Sequence, residues 1–239
     1  MSFNERTIIK ERLLLEKGNQ FQQGGPRVAM LYPSPYRVGM SSLGYQWIIS
    51  RLQEEGLSVE RVFLPDKPEL WKGPLLSYET RTPLSHFPVI GISLAYELEL
   101  AGMIKCLEQS GIPALRENRN DSRIILGGPL TFSNPLPAAP FVDAILLGES
   151  EEVAGEAFSS AFHASREEWF STLSTLPGAF IPERHGEELP EIAKASDLML
   201  PARSHIITPE AELTNMFLIE GERGCHRSCT FCVMRRSTN

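Results

Sequence analysis

The amino-acid sequence predicts an α/β fold, a doubly wound parallel sheet with helices on both faces. Strand-like and helix-like runs alternate from Arg27 onward, as they do in a chain of consecutive strand–helix units. Several strand-like runs are almost continuously apolar and β-branched, which is typical of parallel strands covered on both faces. Two helix-like runs end at a glycine, Gly56 and Gly111, as helices commonly do. These three observations predict the fold class.

Five strands and three main helices follow from the pattern along the chain. The helix after the first strand is the clearest, because Tyr45, Ile48, Ile49 and Leu52 recur at helical spacing. The predicted strands are RVAMLYPSP (27–35), VERVFLP (59–65), PVIGISLA (88–95), RIILGG (123–128) and DAILLGE (143–149). The predicted helices are SSLGYQWIISRLQEEG (41–56), ELELAGMIKCLEQSG (97–111) and EEVAGEAFSSAF (151–162), and a short amphipathic helix with Ile8, Ile9, Leu13 and Leu15 precedes them.

Composition limits the function classes. Of the 239 residues, 42% are hydrophobic and 22% charged, as expected of a soluble globular protein. The net charge of −7 argues against a nucleic-acid partner. No apolar run approaches the roughly 20 residues that span a membrane, and the N-terminus does not resemble a secretory signal. Three of the four cysteines lie close together, so we expect a metal site and a reducing compartment, the cytoplasm.

The chain is predicted to divide into four parts. An N-terminal extension (1–26) precedes the α/β domain (27–164), and a linker with short elements of its own follows (165–214). Within the linker, Ser165 and Glu168 have the spacing of a capping box for a short helix. The last part (215–239) begins with the strand-like run NMFLIEGERG, which leads directly into the clustered cysteines. We interpret it as the start of a further domain.

The clustered cysteines are Cys225, Cys229 and Cys232, in a C-x3-C-x2-C spacing. Thiolates are the usual ligands of iron–sulfur clusters, and three thiolates on a four-iron cluster would leave one iron with an open position. A zinc site is the rival interpretation. It needs a fourth ligand, and His226, adjacent to Cys225, is poorly placed to supply it. We expect Cys106, inside a predicted helix, to be a buried small hydrophobe rather than a ligand.

The cysteine spacing, the preceding Arg223-Gly224 and the aromatic Phe231 before the third cysteine resemble the radical S-adenosylmethionine (SAM) superfamily. The resemblance implies a 4Fe-4S cluster on the three cysteines and SAM on its open iron, with Phe231 beside the adenine. Reductive cleavage of SAM would give a 5′-deoxyadenosyl radical, and flavodoxin or ferredoxin would supply the electron. It also implies a β/α barrel starting at the cysteine strand. Because such a barrel needs about 200 residues or more, we expect it to be truncated here and this chain alone to be inactive.

Four further segments resemble the cobalamin-binding-type domain of cobalamin-dependent radical SAM proteins: YPSPYRVGMSSLG, ISLAYE, ILGGP and VDAILLGESEE. The resemblance implies that Ser93, Gly127 and Gly128 line a pocket for the nucleotide tail. Gly39, in the loop after the first strand, is a further candidate for the pocket. The D-x-H-x-x-G motif that supplies an axial histidine is missing, so cobalamin would bind without that ligand. We expect the other histidines to be ordinary ones: His86, His163, His185 and His205.

Together these resemblances imply a radical SAM enzyme that carries out methyl transfer or a radical rearrangement or cyclisation. A methylthiotransferase has a similar layout, but it needs further N-terminal cysteines for a second cluster, and only Cys106 is available. The alternative from a different class is a non-catalytic α/β module that binds a corrinoid or a protein partner. Its cysteine loop would then be a relic or structural metal loop.

Overall fold

A computed structural model of the chain describes residues 5–18, 21–163, 165–225, 227 and 229–232. The side chain of residue 163 and the positions 226, 228 and 233–239 lie outside the described residues, so the expectations for His163 and His226 are not addressed. None of the described helices is long and apolar enough to cross a bilayer.

A six-stranded sheet forms the centre of the molecule and confirms the predicted fold class. Its strand order is β2-β1-β3-β4-β5-β6, with β1 to β5 parallel and β6 antiparallel at the edge beside β5. The five predicted strands are all present. The strands are β1 (Arg27–Pro35), β2 (Ser58–Leu64), β3 (Val89–Ser93), β4 (Arg123–Gly127), β5 (Ala144–Leu146) and β6 (Ala179–Phe180).

Helices cover both faces of the sheet, and alternate residues of each strand supply the two cores. In β1, Met30 packs into one buried cluster, whereas its neighbour Leu31 packs into the other cluster, on the opposite face of the sheet. This alternation is the ordinary consequence of side chains pointing to opposite faces of a strand. The helices are α1 (Glu5–Leu15), α2 (Tyr36–Gly39), α3 (Leu43–Glu54), α4 (Glu99–Gln109), α5 (Ala154–His163), α6 (Arg166–Leu173) and α7 (Pro182–His185).

Local signals explain where several helices begin and end. Ser42 caps α3, its hydroxyl accepting a hydrogen bond from the Tyr45 N–H at 3.3 Å. Gly56 and Gly111 follow α3 and α4 in the left-handed region, with φ of 83° and 73°. The capping box predicted for α6 is confirmed. The Ser165 hydroxyl accepts from the Glu168 N–H at 3.2 Å, and the Glu168 carboxylate accepts from the Ser165 N–H at 2.8 Å.

The segment predicted as a linker packs against the α/β sheet in its first part. Trp169 of α6 is fully buried in the core beneath that helix, and β6 extends the sheet. The division of the chain into four parts stays a prediction. The strand predicted at 215–224 is shorter in the structure, where only Ile219–Glu220 (β8) pairs, antiparallel, with Ala202–Arg203 (β7). Met216 and Phe217 are more than half exposed, so burial does not hold this segment along its length.

Candidate functional site

A cavity of about 320 Å³ lies at the carboxyl ends of the strands, on the side of the sheet covered by α3 and α5. From β1 the chain passes outward to β2 and then returns to β3 on the other side of β1, so the strand order reverses between β1 and β3. Open parallel sheets bind their ligands beyond the carboxyl ends of the strands at such a point. The fold therefore places this cavity where a ligand site is expected.

The inner wall of the cavity is apolar and firmly packed. Met30, Ile125 and Leu146 contribute from three strands, and Phe158 contributes from α5. Tyr45 of α3 also lines the cavity, and its hydroxyl donates to the Met30 carbonyl at 2.7 Å, which fixes the ring against the sheet. An apolar wall of this kind can hold the face of a large organic ligand without rearranging.

Glycines at the ends of β4 and β5 form one rim of the cavity. Gly128 has φ 102° and ψ 177°, a conformation that only glycine adopts readily, and a Cβ there would lie 2.6 Å from the Leu94 carbonyl oxygen. Gly127 differs, since a Cβ added to it would meet no atom within 4 Å. Ser93 lines the cavity beside them. The residues predicted from the cobalamin resemblance, Ser93, Gly127 and Gly128, thus lie together on one cavity.

Thr131 joins the two glycine turns, a role that no sequence pattern indicated. Its hydroxyl donates to the Gly128 carbonyl at 2.8 Å and accepts from the Gly148 N–H at 3.1 Å. Thr131 is buried, at 3% exposure, so this bridge is shielded from water. The rim is therefore held by a specific side chain as well as by backbone conformation.

The opposite end of the cavity is acidic. Its described lining includes three carboxylates, from Glu149, Glu151 and Glu220, and one guanidinium, from Arg223. Arg223 donates to Glu151 Oε1 at 2.6 Å and to Glu220 Oε2 at 2.8 Å. The Glu149 carboxylate accepts from the Ala195 N–H at 3.0 Å. Burial raises the pKa of Glu151, and the charge of Arg223 only partly opposes this effect.

The segment that leads into the cysteines borders the same cavity. Arg223 and Gly224 line it, and Cys225 follows directly. Cys225 is exposed, Cys229 and Cys232 are partly buried, and the Cys232 N–H donates to the Cys229 carbonyl at 3.2 Å. Within the described part of the chain, no three His, Cys, Asp or Glu side chains converge as a metal site. The assignment of the three cysteines as cluster ligands therefore stays a prediction.

Two of the other predicted cofactor residues lie elsewhere. Gly39 is not brought to the cavity. It ends α2 beneath the ring of Phe63, where an added Cβ would lie 2.4 Å from a ring carbon, so its glycine serves close packing. Phe231 is 89% exposed, and its predicted place beside the adenine stays a prediction.

Cys106 is buried as expected, and neither it nor His185 and His205 lines the cavity. Cys106 is fully buried in α4, and burial raises the pKa of its thiol to about 12. His185 accepts a hydrogen bond from the Ile181 N–H at 2.9 Å and stacks on Phe180. His205 stacks on Trp47, and burial, followed by the charge of Arg203, lowers its pKa.

This chain is similar to one protein family and to two individual proteins. Residues 44–182, more than half of the chain, match the family described as "Radical SAM proteins, N-terminal". The uncharacterized protein MJ0966 of Methanocaldococcus jannaschii is 24% identical over 209 residues, 87% of this chain and 41% of that protein. A solved structure of the radical S-adenosylmethionine methyltransferase TsrM from Kitasatospora setae, with tryptophan substrate and the SAM analogue aza-SAM bound, is similar with a TM-score of 0.55.

The similarity to TsrM has 14% identity and covers 88% of this chain and 41% of TsrM, so it supports the fold alone. The chain spans about two fifths of the length of both proteins that it resembles. The family match covers β2 to β6 and most of the cavity lining, and it agrees with the resemblance drawn from the cysteine spacing. The chain belongs to the family of radical SAM proteins, as an N-terminal part of that class.

Proposed function

We propose that this chain is the N-terminal part of a radical SAM enzyme whose α/β domain binds a corrinoid beside a 4Fe-4S cluster held by Cys225, Cys229 and Cys232. One observation carries the proposal. Arg223 and Gly224, which immediately precede Cys225, line the same cavity as Ser93, Gly127 and Gly128. The predicted cluster segment and the predicted cofactor pocket therefore share a wall.

The cavity fits part of a corrinoid. Its volume is near the lower end of small-molecule sites, so it suits a portion such as the nucleotide tail rather than the whole macrocycle. Gly127 leaves open space where a side chain would stand. Gly128 lets the rim of the cavity pack closely against the backbone of Leu94. Ser93 offers a hydroxyl at the same rim. When bound, a corrinoid supplies a cobalt centre that can carry a methyl group.

The donor set at the cysteines fits an iron–sulfur cluster with one open iron. Three cysteine thiols within eight residues are the ligand type that such clusters use, and they leave a position for a SAM molecule. Arg227 adds positive charge between the first two cysteines, which would offset the negative charge of the bound cluster. When bound, the cluster supplies the electron that cleaves SAM. Flavodoxin or ferredoxin in the cytoplasm would provide that electron.

Methyl transfer is the reaction that we favour over rearrangement or cyclisation. TsrM, which has a similar fold, is a radical SAM methyltransferase. The cavity is consistent with that chemistry because it is largely apolar and lies next to the predicted SAM site. The protein's own residues would bind and orient the methyl carrier and exclude water from it.

Anaerobic reconstitution tests the cluster. We expect the wild-type chain to take up iron and sulfide as a 4Fe-4S cluster whose reduced electron paramagnetic resonance (EPR) spectrum changes when SAM is added. The variant Cys225→Ala/Cys229→Ala/Cys232→Ala should bind no cluster, and Cys106→Ala is the matched control that should keep it. A cluster that survives in the triple variant, or a spectrum indifferent to SAM, would contradict the proposal.

Titration with hydroxocobalamin tests the cavity. We expect saturable binding to the wild type, followed by absorbance, and a loss of at least tenfold in affinity for Gly127→Leu, because the new side chain projects into open space within the cavity. Ala101→Leu adds the same kind of side chain at an exposed position of α4 and should bind normally. Equal affinity of the two variants would show that the corrinoid does not enter this cavity.

A further inference from the structure

Glu151 carries a feature that the proposed function does not use. Its side chain is only 9% exposed and lines the cavity, yet just one of its two oxygens is paired, with Arg223. The other oxygen, Oε2, is buried and has no hydrogen-bond partner among the described residues. A buried acceptor left unpaired is costly, more so when it is charged, so such an atom on a residue that lines a ligand cavity points to a donor that arrives with the ligand.

The charge around this oxygen restricts the donor. The described cavity lining holds three carboxylates and one guanidinium, and Arg223 is already engaged by two of those carboxylates. An anionic group placed at this end would meet net negative charge, with no free cation among the described lining residues. A neutral or cationic N–H donor would instead satisfy Glu151 and reduce the repulsion among the carboxylates.

We infer that Glu151 is a recognition residue that accepts a hydrogen bond from an amide or amine N–H of a ligand in this cavity and selects against carboxylate or phosphate at that end. The inference rests on the proposed function for the identity of its probes. Two ligands could present such a donor, a corrinoid through its side-chain amides and SAM through its amino groups.

The position of Glu151 gives the recognition a second consequence. Its Oε1 holds Arg223, two residues before Cys225, and its side chain also lines the cavity. One carboxylate thus links the cavity wall to the segment that carries the first cysteine. A ligand bound at Glu151 should therefore steady that segment.

The first experiment compares probes on the unmodified chain, so folding of a variant does not enter. Hydroxocobalamin should bind at least tenfold more tightly than a derivative whose side-chain amides have been hydrolysed to carboxylic acids. Equal affinity for the two corrinoids would count against selection by Glu151 of a corrinoid donor.

The second experiment compares Glu151→Gln with Glu220→Gln, each of which removes one negative charge from the same end of the cavity. Glu151→Gln should weaken hydroxocobalamin binding about tenfold or more, because the amide can no longer offer a charged acceptor both to Arg223 and to the ligand. Glu220→Gln should weaken it less than threefold. Equal losses would show a general effect of charge and would overturn the inference, and thermal unfolding of both variants checks that they fold.

A third arm separates the two sources of the donor. The SAM concentration that half-saturates the EPR change is measured on reconstituted wild type and Glu151→Gln. If Glu151→Gln raises the half-saturating SAM concentration at least tenfold and leaves the affinity for hydroxocobalamin unchanged, the donor belongs to SAM. If it lowers only the affinity for hydroxocobalamin, the donor belongs to the corrinoid. If hydroxocobalamin binds no form of the chain, the corrinoid function fails, and the SAM arm still decides the role of Glu151. No change in either arm overturns the inference.

Discussion

The cavity borders the cysteine segment, which runs from Asn215 to the three clustered cysteines. The two regions are built in different ways. The cavity is formed by strand ends, by two packed helices and by glycine turns that Thr131 joins together. The cysteine segment has a two-residue strand, exposed Met216 and Phe217, and an exposed Cys225. Arg223 connects the two regions through its ion pairs with Glu151 and Glu220.

This difference indicates how the two halves of the proposed site would work. A rigid sheet edge can bind a large cofactor without rearranging, because the packing that shapes it already exists. In its described part, the cysteine segment is held by the pairing of β8 with β7 and by the ion pairs of Arg223, so a bound cluster would add to its stability. Thiol reactivity and stability should therefore differ between the two regions.

Thiol labelling should give the largest difference between the two regions. In metal-free, folded protein, Cys225, Cys229 and Cys232 should react readily with an alkylating reagent, and Cys106 should not. At pH 8 a thiol with a pKa of about 12 has roughly a thousandth of the thiolate of an ordinary cysteine, and burial in α4 blocks access as well.

Mass spectrometry of the alkylated chain measures these rates residue by residue. Cys106 should react at the rate of the other three once the chain is unfolded in urea, which controls for intrinsic reactivity. Rapid labelling of Cys106 in folded protein would show that the sheet region opens as easily as the cysteine segment.

Truncating Trp169 should give the next largest effect. This side chain is fully buried against the core, and its indole N–H donates to the Ala157 carbonyl at 3.1 Å. Trp169→Ala should therefore lower the free energy of unfolding by about 3–5 kcal/mol, measured by urea denaturation. A loss below about 1 kcal/mol would show that α6 is only loosely attached to the sheet.

Neighbouring glycines at the cavity rim should respond differently to the same change. Gly128→Ala should destabilise the protein by about 1–3 kcal/mol, because alanine is strained at φ 102° and would crowd the Leu94 carbonyl. Gly127→Ala has open space and should change stability by less than about 1 kcal/mol. Urea denaturation of both variants measures the difference, and similar losses would show that the rim is not held in the described conformation.

Much of the fold could be predicted because the strands of a doubly covered sheet are apolar along their whole length. The apolar runs around Val28, Ile90 and Ile124 are typical of buried parallel strands, and Gly56 and Gly111 marked helix ends. The edge strand β6 is only two residues long, too short to show a period, so the sequence did not reveal it. The strand before the cysteines was predicted too long, because its apolar side chains remain exposed in the structure.

The site was only partly predictable, for a related reason. Ser93, Gly127 and Gly128 follow strands directly, so the sheet geometry places them at one edge. Thr131 and Glu151 act through partners that are remote in sequence, Gly148 and Arg223 respectively, and no local pattern announces such pairs. Gly39 also follows a strand, but it lies beneath Phe63, so position after a strand is not sufficient.

Removing an exposed aromatic from the cysteine segment should give the smallest effect. Phe217 is 54% exposed, so Phe217→Ala should change the free energy of unfolding by less than about 0.5 kcal/mol in urea denaturation. The affinity for hydroxocobalamin should also stay within twofold of wild type, because Phe217 does not line the cavity. A loss of more than about 1 kcal/mol would place Phe217 in a packed environment and remove the contrast between the two regions. Because both Trp169→Ala and Phe217→Ala remove a whole aromatic ring, the difference between them measures burial rather than residue type.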